Sequence, residues 1–290
     1  MDNQTSFTLI DPQTKDLAFR MSSFKEDSGF NSLRRYNYFS VLLVTKGKGR
    51  LVRDEAEYEF DKSCLLCFSI YQPFVIKPVD EFEGVLINFH PGFFCLFRHR
   101  NEVSCNGVLF NNIYDTPVVD LDTAQLHSLL TVIGQLKEEM QNRQPPDQEV
   151  LLSYLKILLI DASRIKVEQR KTEEAVPRKE PLMAGVLKKA IEENFKTLRS
   201  PGEYAALLHV SVKALNKASR SSFGKTLTDL IAERMIVEAK RELYLTAKPV
   251  KQIAFELGYI DEFYFSRYFK KNAGVSPRIF RNTVGFAQKM

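Results

Sequence analysis

Two short segments of the chain carry cationic, amide and hydroxyl side chains at the spacing of one helix face. The first is VKALNKASR at 212–220 and the second is EFYFSRYFKK at 262–271. Guanidinium and amide groups form paired hydrogen bonds, and lysines attract anions as point charges. Such side chains on a helix suit the edges of nucleic-acid bases and the phosphates beside them. A charged helix face that is merely solvated is the competing interpretation.

Other kinds of chemistry lack the residue patterns that they require. The four histidines, at 90, 99, 127 and 209, form no H-x-H pair for a metal, and His90 is predicted to be a turn residue. The sequence holds no Ser-His-Asp grouping, phosphate loop or dinucleotide glycine pattern, so an enzyme, a metal and a cofactor are not expected. The remaining candidates are the cysteines, which are predicted to be buried structural thiols: Cys64, Cys67, Cys95 and Cys105.

Charge is spread unevenly along the 290 residues. The net charge is +5, but residues 182–290 hold 19 Lys or Arg against 10 Asp or Glu, whereas residues 1–181 hold 22 against 26. A basic segment joined to a mildly acidic one is typical of a polyanion-binding module attached to a domain with another task. Neither a run of eighteen apolar residues nor a signal-peptide pattern occurs, which predicts a cytoplasmic protein.

The first domain, residues 1–165, has the pattern of an antiparallel β-structure. Between residues 36 and 89, short runs of β-branched and aromatic residues alternate with Gly, Asp and Pro, as in SVLLVT, RLVRD and EGVLINF. This pattern predicts a small sandwich or barrel. After it, apolar residues recur every three or four positions, which predicts two helices within residues 121–160. Their apolar faces indicate either dimerisation through these helices or packing on the β-structure.

A charged stretch at residues 166–181 separates this domain from a helical one at 182–290. The stretch, KVEQRKTEEAVPRKEP, has few apolar residues, as expected of an exposed linker. The periodicity beyond it predicts helices at 183–195, 201–208, 212–221, 226–244, 250–257 and 262–271, with a short one after Pro277. The expected fold class is α+β, with an N-terminal β-domain and a C-terminal all-α domain.

The helical domain contains an internal repeat. YAALLHVSVKALNKASRSSFGKT at 204–226 matches IAFELGYIDEFYFSRYFKKNAGVSP at 253–277, with one extra residue in the second turn. Each copy is a short helix, a tight turn and a second helix that ends at Gly224 or Gly274, which is the helix-turn-helix layout. Helix caps are predicted at Ser211, Thr226 and Ser276.

These motifs resemble the DNA-binding domain of the AraC/XylS family of bacterial transcription regulators. The resemblance covers residues 182–285 and rests on A-x-x-L at 205–208, S-x-x-x-L at 211–215, and IAFELGY followed by FSRYFKKNAGVSPRIFR. The strand, Gly-turn and strand of SVLLVTKGKGRLVRD are similar to the cupin-like effector domain of the same family. The helices within 121–165 resemble the dimerisation element that many members place between the two domains.

In the second copy, Phe265, Tyr268 and Phe269 form a stripe that should face the core. The residues predicted to contact DNA lie on the other side: Glu262, Phe263, Tyr264, Ser266, Arg267, Lys270 and Lys271. The resemblance places Glu262, Phe263 and Arg267 where family members contact bases or phosphates. Arg267 could pair with guanine or hold a phosphate, and Glu262 could accept from cytosine or stabilise the helix N-terminus.

In the first copy, Leu215 and Ala218 should face inward. The residues predicted to contact DNA are Ser211, Lys213, Ala214, Asn216, Lys217 and Arg220. Asn216 could pair with adenine, Ala214 could touch a thymine methyl group, and the cations could hold phosphates. Ser219 stands where the second copy has Phe269, and the SRSS sequence is expected to loosen this helix through competing hydrogen bonds.

The resemblance implies a sequence-specific transcription regulator, more often an activator, that works with RNA polymerase at the bacterial nucleoid. The helix at 226–244 would hold both reading helices so that they enter major-groove segments about 34 Å apart. A small effector or a partner would act through the first domain, and a homodimer would form through residues 121–160. The alternatives are an architectural DNA binder without sequence preference and a cupin-type enzyme with a fused helical domain.

Overall fold

A computed structural model gives the fold of most of the chain. It describes residues 6–25, 29–53, 56–99, 107–143, 145–175 and 182–284. These residues divide into two compact units, an N-terminal one whose last helix ends at Ala175 and a helical one that begins at Leu182. The predicted α+β class is confirmed. Among the helices in these ranges, none is long and apolar enough to cross a membrane.

The N-terminal unit is built on nine described strands. Their bounds are β1 Ser6–Ile10, β2 Leu17–Lys25, β3 Phe39–Lys46, β4 Gly49–Arg53, β5 Ala56–Phe60, β6 Cys64–Phe68, β7 Phe74–Pro78, β8 Glu83–Phe89 and β9 Val118–Asp120. One sheet has the order β1-β2-β8-β3-β6-β9, and the other has the order β5-β4-β7. The strand pattern between residues 36 and 89 predicts β3 to β8, whereas β1, β2 and β9 lie outside that segment and were not predicted.

One apolar cluster joins the two sheets. Leu42 and Leu66 of the larger sheet and Leu51 and Ile76 of the smaller sheet belong to the same buried core. Strand β6, with the sequence CLLCF, is buried along its whole length and supplies Cys64, Leu66 and Phe68 to this core. Because two antiparallel sheets share one core, the unit is a sandwich of the kind that the alternating pattern predicts.

The cysteines and His90 serve structure in the described part of this unit. Cys64, Cys67 and Cys95 are buried, as predicted, whereas Cys105 lies outside the described residues. Burial raises the pKa of the Cys64 thiol far above its usual range, so this thiol is inert at neutral pH. His90 follows β8, and its Nδ1 accepts a hydrogen bond from the Gly92 N–H at 3.1 Å, which is the predicted turn role.

Two helices complete the N-terminal unit. They are α1 Thr123–Asn142, which begins with a capping box between Asp122 and Gln125, and α2 Gln148–Ala175. The apolar faces that suggested a dimer are largely buried within this one chain, since Leu129, Leu136 and Leu155 have no exposed surface. This burial agrees with the alternative in which the helices pack within the chain. The apolar faces therefore do not support a homodimer, which stays a prediction.

The predicted linker at 166–181 is wrong in its first ten residues. Helix α2 continues to Ala175, and Lys166 is buried with its Nζ donating to the Val118 carbonyl at 3.2 Å. The Gln169 side chain accepts from the Asp120 N–H and fixes the same part of α2 to β9. The hydrogen bonds of Lys166 and Gln169 attach this charged segment to β9, so it continues the helix rather than forming an exposed linker. Residues 176–181 lie outside the described residues.

The helical unit follows the predicted plan closely. Its helices are α3 Leu182–Asn194, α4 Pro201–Leu207, α5 Val212–Phe223, α6 Leu227–Leu245, α7 Val250–Glu256, α8 Glu262–Ala273 and α9 Pro277–Val284. Each agrees with its predicted bounds within two residues where both bounds were predicted. Thr226 and Asp229 form the predicted capping box at α6, and the Ser276 hydroxyl accepts from the Ile279 N–H at α9.

Candidate nucleic-acid interface

Two helix-turn-helix modules lie within the helical unit. The first module is α4, its turn and α5, and the second module is α7, its turn and α8. Both turns pass through a positive φ, at His209 (53°) and at Gly258 (78°). The next residue then donates its N–H to the preceding helix, from Val210 to Ala205 at 3.0 Å and from Tyr259 to Ala254 at 2.8 Å. The repeat in the sequence is therefore a repeat of backbone geometry.

The caps of the two reading helices, α5 and α8, also match. The Ser211 hydroxyl accepts from the Ala214 N–H, and the Asp261 carboxylate accepts from the N–H groups of Phe263 and Tyr264. Each helix is twelve residues long and ends at a left-handed glycine, as predicted for Gly224 and Gly274. These caps satisfy N–H groups of the first turn and fix where each reading helix begins.

The second module has an aromatic interior. Phe265 and Phe269 of α8 are fully buried, with Phe265 5.1 Å from the Tyr259 ring and Phe269 5.7 Å from the Phe280 ring. Tyr268 is half-buried beside Tyr259, and burial raises the pKa of its phenol. The prediction that this stripe faces the core is confirmed for both phenylalanines and, in part, for Tyr268.

The outer side of α8 carries the residues predicted to contact DNA. Phe263, Tyr264, Arg267, Lys270 and Lys271 are exposed, whereas Glu262 and Ser266 are half-buried. Phe263, Arg267 and Lys270 are spaced by four and three positions, so they form one stripe along the helix. This side offers guanidinium, ammonium and apolar groups to a single surface.

The outer side of α5 forms a basic groove with the start of α6. Ser211, Lys213, Ala214, Lys217 and Arg220 are exposed, as predicted. A groove of about 880 Å³ is lined by Lys213, Asn216, Lys217, Arg220, Ser221, Thr226 and Thr228. Three of these side chains are cations and the others carry hydroxyl or amide groups, which is the composition of a surface that holds phosphates.

Asn216 has a structural contact that the sequence did not reveal. Its Oδ1 accepts from the Leu227 N–H at 3.2 Å and so caps the first turn of α6. A bidentate contact with adenine uses both the oxygen and the nitrogen of the amide. Pairing of Asn216 with a base therefore requires this oxygen to change or share its partner.

Ser219 lies in a helix as long as α8, and the expected loosening of α5 stays a prediction. Ser219 is fully buried, and its hydroxyl donates to the Lys225 carbonyl at 2.7 Å, just beyond the end of the helix. The Lys225 ammonium is buried too and pairs with both carboxylate oxygens of Glu233 at 2.6 and 2.8 Å. The Ser219 hydroxyl thus connects α5 to the residue after Gly224, and it does not compete for the backbone hydrogen bonds of the helix.

Arg199 connects the first module to the turn of the second. It lies just before α4, and its Nη2 donates to the Leu257 carbonyl at 2.5 Å. Its guanidinium carbon lies 3.8 Å from the centre of the Tyr259 ring, a stacked cation–π contact. Nothing in the local sequence marks this role, because Leu257 lies 58 positions along the chain from Arg199 and Tyr259 lies two residues beyond Leu257.

Ion pairs run along α6, the 19-residue helix that joins the modules. Arg234 pairs with Glu192 of α3 and with Glu238, and Lys248 links Glu242 to Glu256 of α7. Burial opposes ionisation of Glu238, but the hydrogen bonds and charges of Arg241 and Arg234 outweigh it and lower its pKa. At about 1.5 Å per residue, α6 spans roughly 28 Å, which suits it to hold two reading helices apart.

Known proteins share this helical unit. Residues 204–283 match the family model described as a helix-turn-helix domain. The raffinose operon regulator RafR of Pediococcus pentosaceus is 27% identical over 95 residues, and the transcriptional activator RhaS of Mannheimia succiniciproducens is 28% identical over 91. The regulatory protein SoxS of Escherichia coli is 34% identical over 70 residues, or 24% of this chain.

These matches span only part of each relative. The aligned region is 33% of this chain and 34% of RafR, 31% of this chain and 34% of RhaS, and 65% of SoxS. The three relatives are named as regulatory proteins or, for RhaS, as a transcriptional activator. Residues 204–283 therefore form a helix-turn-helix domain, and this domain is the part of the chain that is similar to these regulatory and activator proteins.

Proposed function

We propose that the chain is a sequence-specific DNA-binding transcription regulator that reads two neighbouring major-groove segments. One observation supports this most strongly: two modules with a side-chain cap and a positive-φ turn residue at matching places each expose cations on the second helix. A major groove about 12 Å wide admits one helix, so two reading helices need two segments. A long asymmetric site, bound by one chain, is the natural target.

Within this proposal, the two kinds of contact have different tasks. Arg267 supplies a planar pair of donors that suits guanine O6 and N7, and this contact would specify sequence. Lys213, Lys217 and Lys270 carry point charges that would hold phosphates and position the helices without specifying bases. The half-buried Glu262 lies in the first turn of α8, where a carboxylate stabilises the helix N-terminus.

The N-terminal sandwich would supply control. We place a small effector or a protein partner there, as in a cupin-like effector domain, because the sandwich lies outside the residues that match the helix-turn-helix model. The activator role, contact with RNA polymerase, action at the nucleoid in the cytoplasm and a homodimer through 121–160 belong to the same proposal. A thermal-shift screen of the full chain with sugars, fatty acids and aromatic acids tests the effector.

Selection of duplexes from a random library tests the proposed function directly. We expect enrichment of a long asymmetric sequence that the full chain binds at least about a thousandfold more tightly than random duplex at physiological salt. Arg267→Ala should weaken binding to the selected duplex about 10-fold to 100-fold, because a bidentate base contact discriminates by that order. Lys77→Ala, which removes an exposed cation on β7, is the matched control and should leave affinity unchanged.

An architectural binder would give a different result. Its affinity would fall steeply with salt, as counterion release requires, but would be equal for selected and random duplexes. Equal affinity would contradict the proposed function, and so would an Arg267→Ala variant that binds the selected duplex as well as the unchanged chain does.

A further inference from the structure

We propose that the second module reads thymine methyl groups through an apolar edge made of Ile260 and Phe263. This inference rests on the proposed function, since it states which chemical group of the DNA the second module contacts. It assigns a specificity-determining role to Ile260, which the repeat had marked only as an extra residue in the turn.

The apolar edge is displayed to solvent rather than used for folding. Ile260 is 95% exposed and Phe263 is 73% exposed, and the neighbouring Tyr264 is 55% exposed. The rings that stabilise α8, at Phe265 and Phe269, are completely buried on the other side of the helix. A single exposed apolar side chain is ordinary, but three within five residues mark a surface that is covered when the protein acts.

Ile260 has no counterpart in the first module. The turn there runs from His209 through Val210 to the cap at Ser211, whereas the second turn runs from Gly258 and Tyr259 through Ile260 to the cap at Asp261. The position of Phe263 is Lys213 in the first module, and that of Tyr264 is Ala214. The first turn of the second helix therefore carries large apolar side chains in the second module, where the first module has a lysine and an alanine.

The charges beside the apolar edge indicate what covers it. Arg267 and Lys270 continue the stripe that begins at Phe263, and all three side chains are exposed. This surface is apolar at the N-terminal end of α8 and cationic towards its C-terminal end. Such a surface suits a polyanion that also presents apolar groups. In the major groove, the C5-methyl of thymine is the apolar group that base pairs display, and phosphates flank it.

Deoxyuridine in place of thymidine tests the proposal, because it removes the methyl group and keeps every base-pairing atom. In the selected duplex, this exchange in the segment read by the second module should weaken binding of the full chain about fourfold per contacted methyl. That factor corresponds to burial of one methyl-sized group. Phe263→Ala and Ile260→Ala should bind the thymidine duplex more weakly and should respond less to the exchange.

Arg267→Ala is the matched control on the same stripe. It should lower the affinity for both duplexes by the same factor, so the ratio between thymidine and deoxyuridine duplexes should persist. Since Phe263 and Ile260 are exposed, circular dichroism should show that their variants stay folded.

Three results would overturn the proposal. Equal binding of both duplexes by the unchanged chain, with the selected sequence still preferred over random duplex, would refute the apolar edge and leave the proposed function standing. An unchanged affinity of Phe263→Ala would mean that this edge faces a protein partner instead. Failure to select any preferred sequence would remove the proposed function and this inference together.

Discussion

The two helix-turn-helix modules share a backbone plan but not an interior. Both use a positive-φ turn residue, a side-chain cap and a left-handed glycine stop. Around the end of its reading helix, the first module places a polar chain of Ser219, Lys225 and Glu233, whereas the second module places Phe269 against Phe280. The motif is therefore set by its turn and caps, and its interior can be polar provided that each buried polar group has a partner.

The largest expected effect comes from removing the aromatic interior. Phe269→Ala should lower the free energy of opening of α8 by about 3 to 5 kcal/mol, because it deletes a fully buried ring and leaves a cavity. The corresponding change in the first module, Ser219→Ala, should cost about 1 to 2 kcal/mol, since it removes one hydrogen bond to a buried carbonyl. Native-state amide hydrogen exchange of α5 and α8 measures both.

Each variant serves as the control for the other. Ser219→Ala should leave exchange in α8 nearly unchanged, and Phe269→Ala should affect α8 and α9 first. Equal losses in the two variants would mean that the polar chain stabilises its module as strongly as the aromatic contact does, and the contrast between the interiors would fail.

A second effect separates the two turns. Gly258→Ala should destabilise the second module by about 2 to 4 kcal/mol, because a Cβ there would lie 2.3 Å from the Lys196 carbonyl oxygen at a φ of +78°. His209→Ala changes a residue that already holds a positive φ with a Cβ, so it should cost less than about 1 kcal/mol. Hydrogen exchange of the two modules compares them. Tolerance of alanine at both turns would contradict the close approach at Gly258.

The smallest of these effects tests the brace from Arg199. Arg199→Ala should loosen the second turn by about 1 to 2 kcal/mol through loss of the bond to Leu257 and of stacking on Tyr259. Arg199→Lys should recover little of this, because an ammonium has no flat face to stack. Exposed Lys196 on the same loop provides the control variant, Lys196→Ala. Full recovery by lysine would mean that charge alone holds the turn.

Much of this plan was predictable because it depends on local rules. Caps at Ser211 and Thr226 and stops at Gly224 and Gly274 follow from the hydrogen-bonding needs of helix ends, which nearby residues satisfy. The outward stripe on α8 follows from its 3.6-residue period. These features need no knowledge of the tertiary fold, so the sequence alone predicts them.

The features that sequence reasoning missed depend on partners outside the helix that carries the side chain. From the sequence, Lys166 belongs to a linker and Ser219 weakens its helix, whereas in the structure Lys166 donates to the Val118 carbonyl and Ser219 donates to the Lys225 carbonyl. Asn216 reads as a base contact until it caps Leu227. In each case a polar side chain has two plausible uses, and only the packed fold decides between them.

The central claim is that both modules read DNA, each in its own major-groove segment. Hydroxyl-radical footprinting of the full chain on the selected duplex tests it most directly. At a protein concentration that restores full occupancy, we expect two protected segments about 34 Å apart on one face of the duplex, with Lys217→Ala weakening only one of them and Arg267→Ala only the other. A single protected segment, or equal loss at both segments in either variant, would contradict the account.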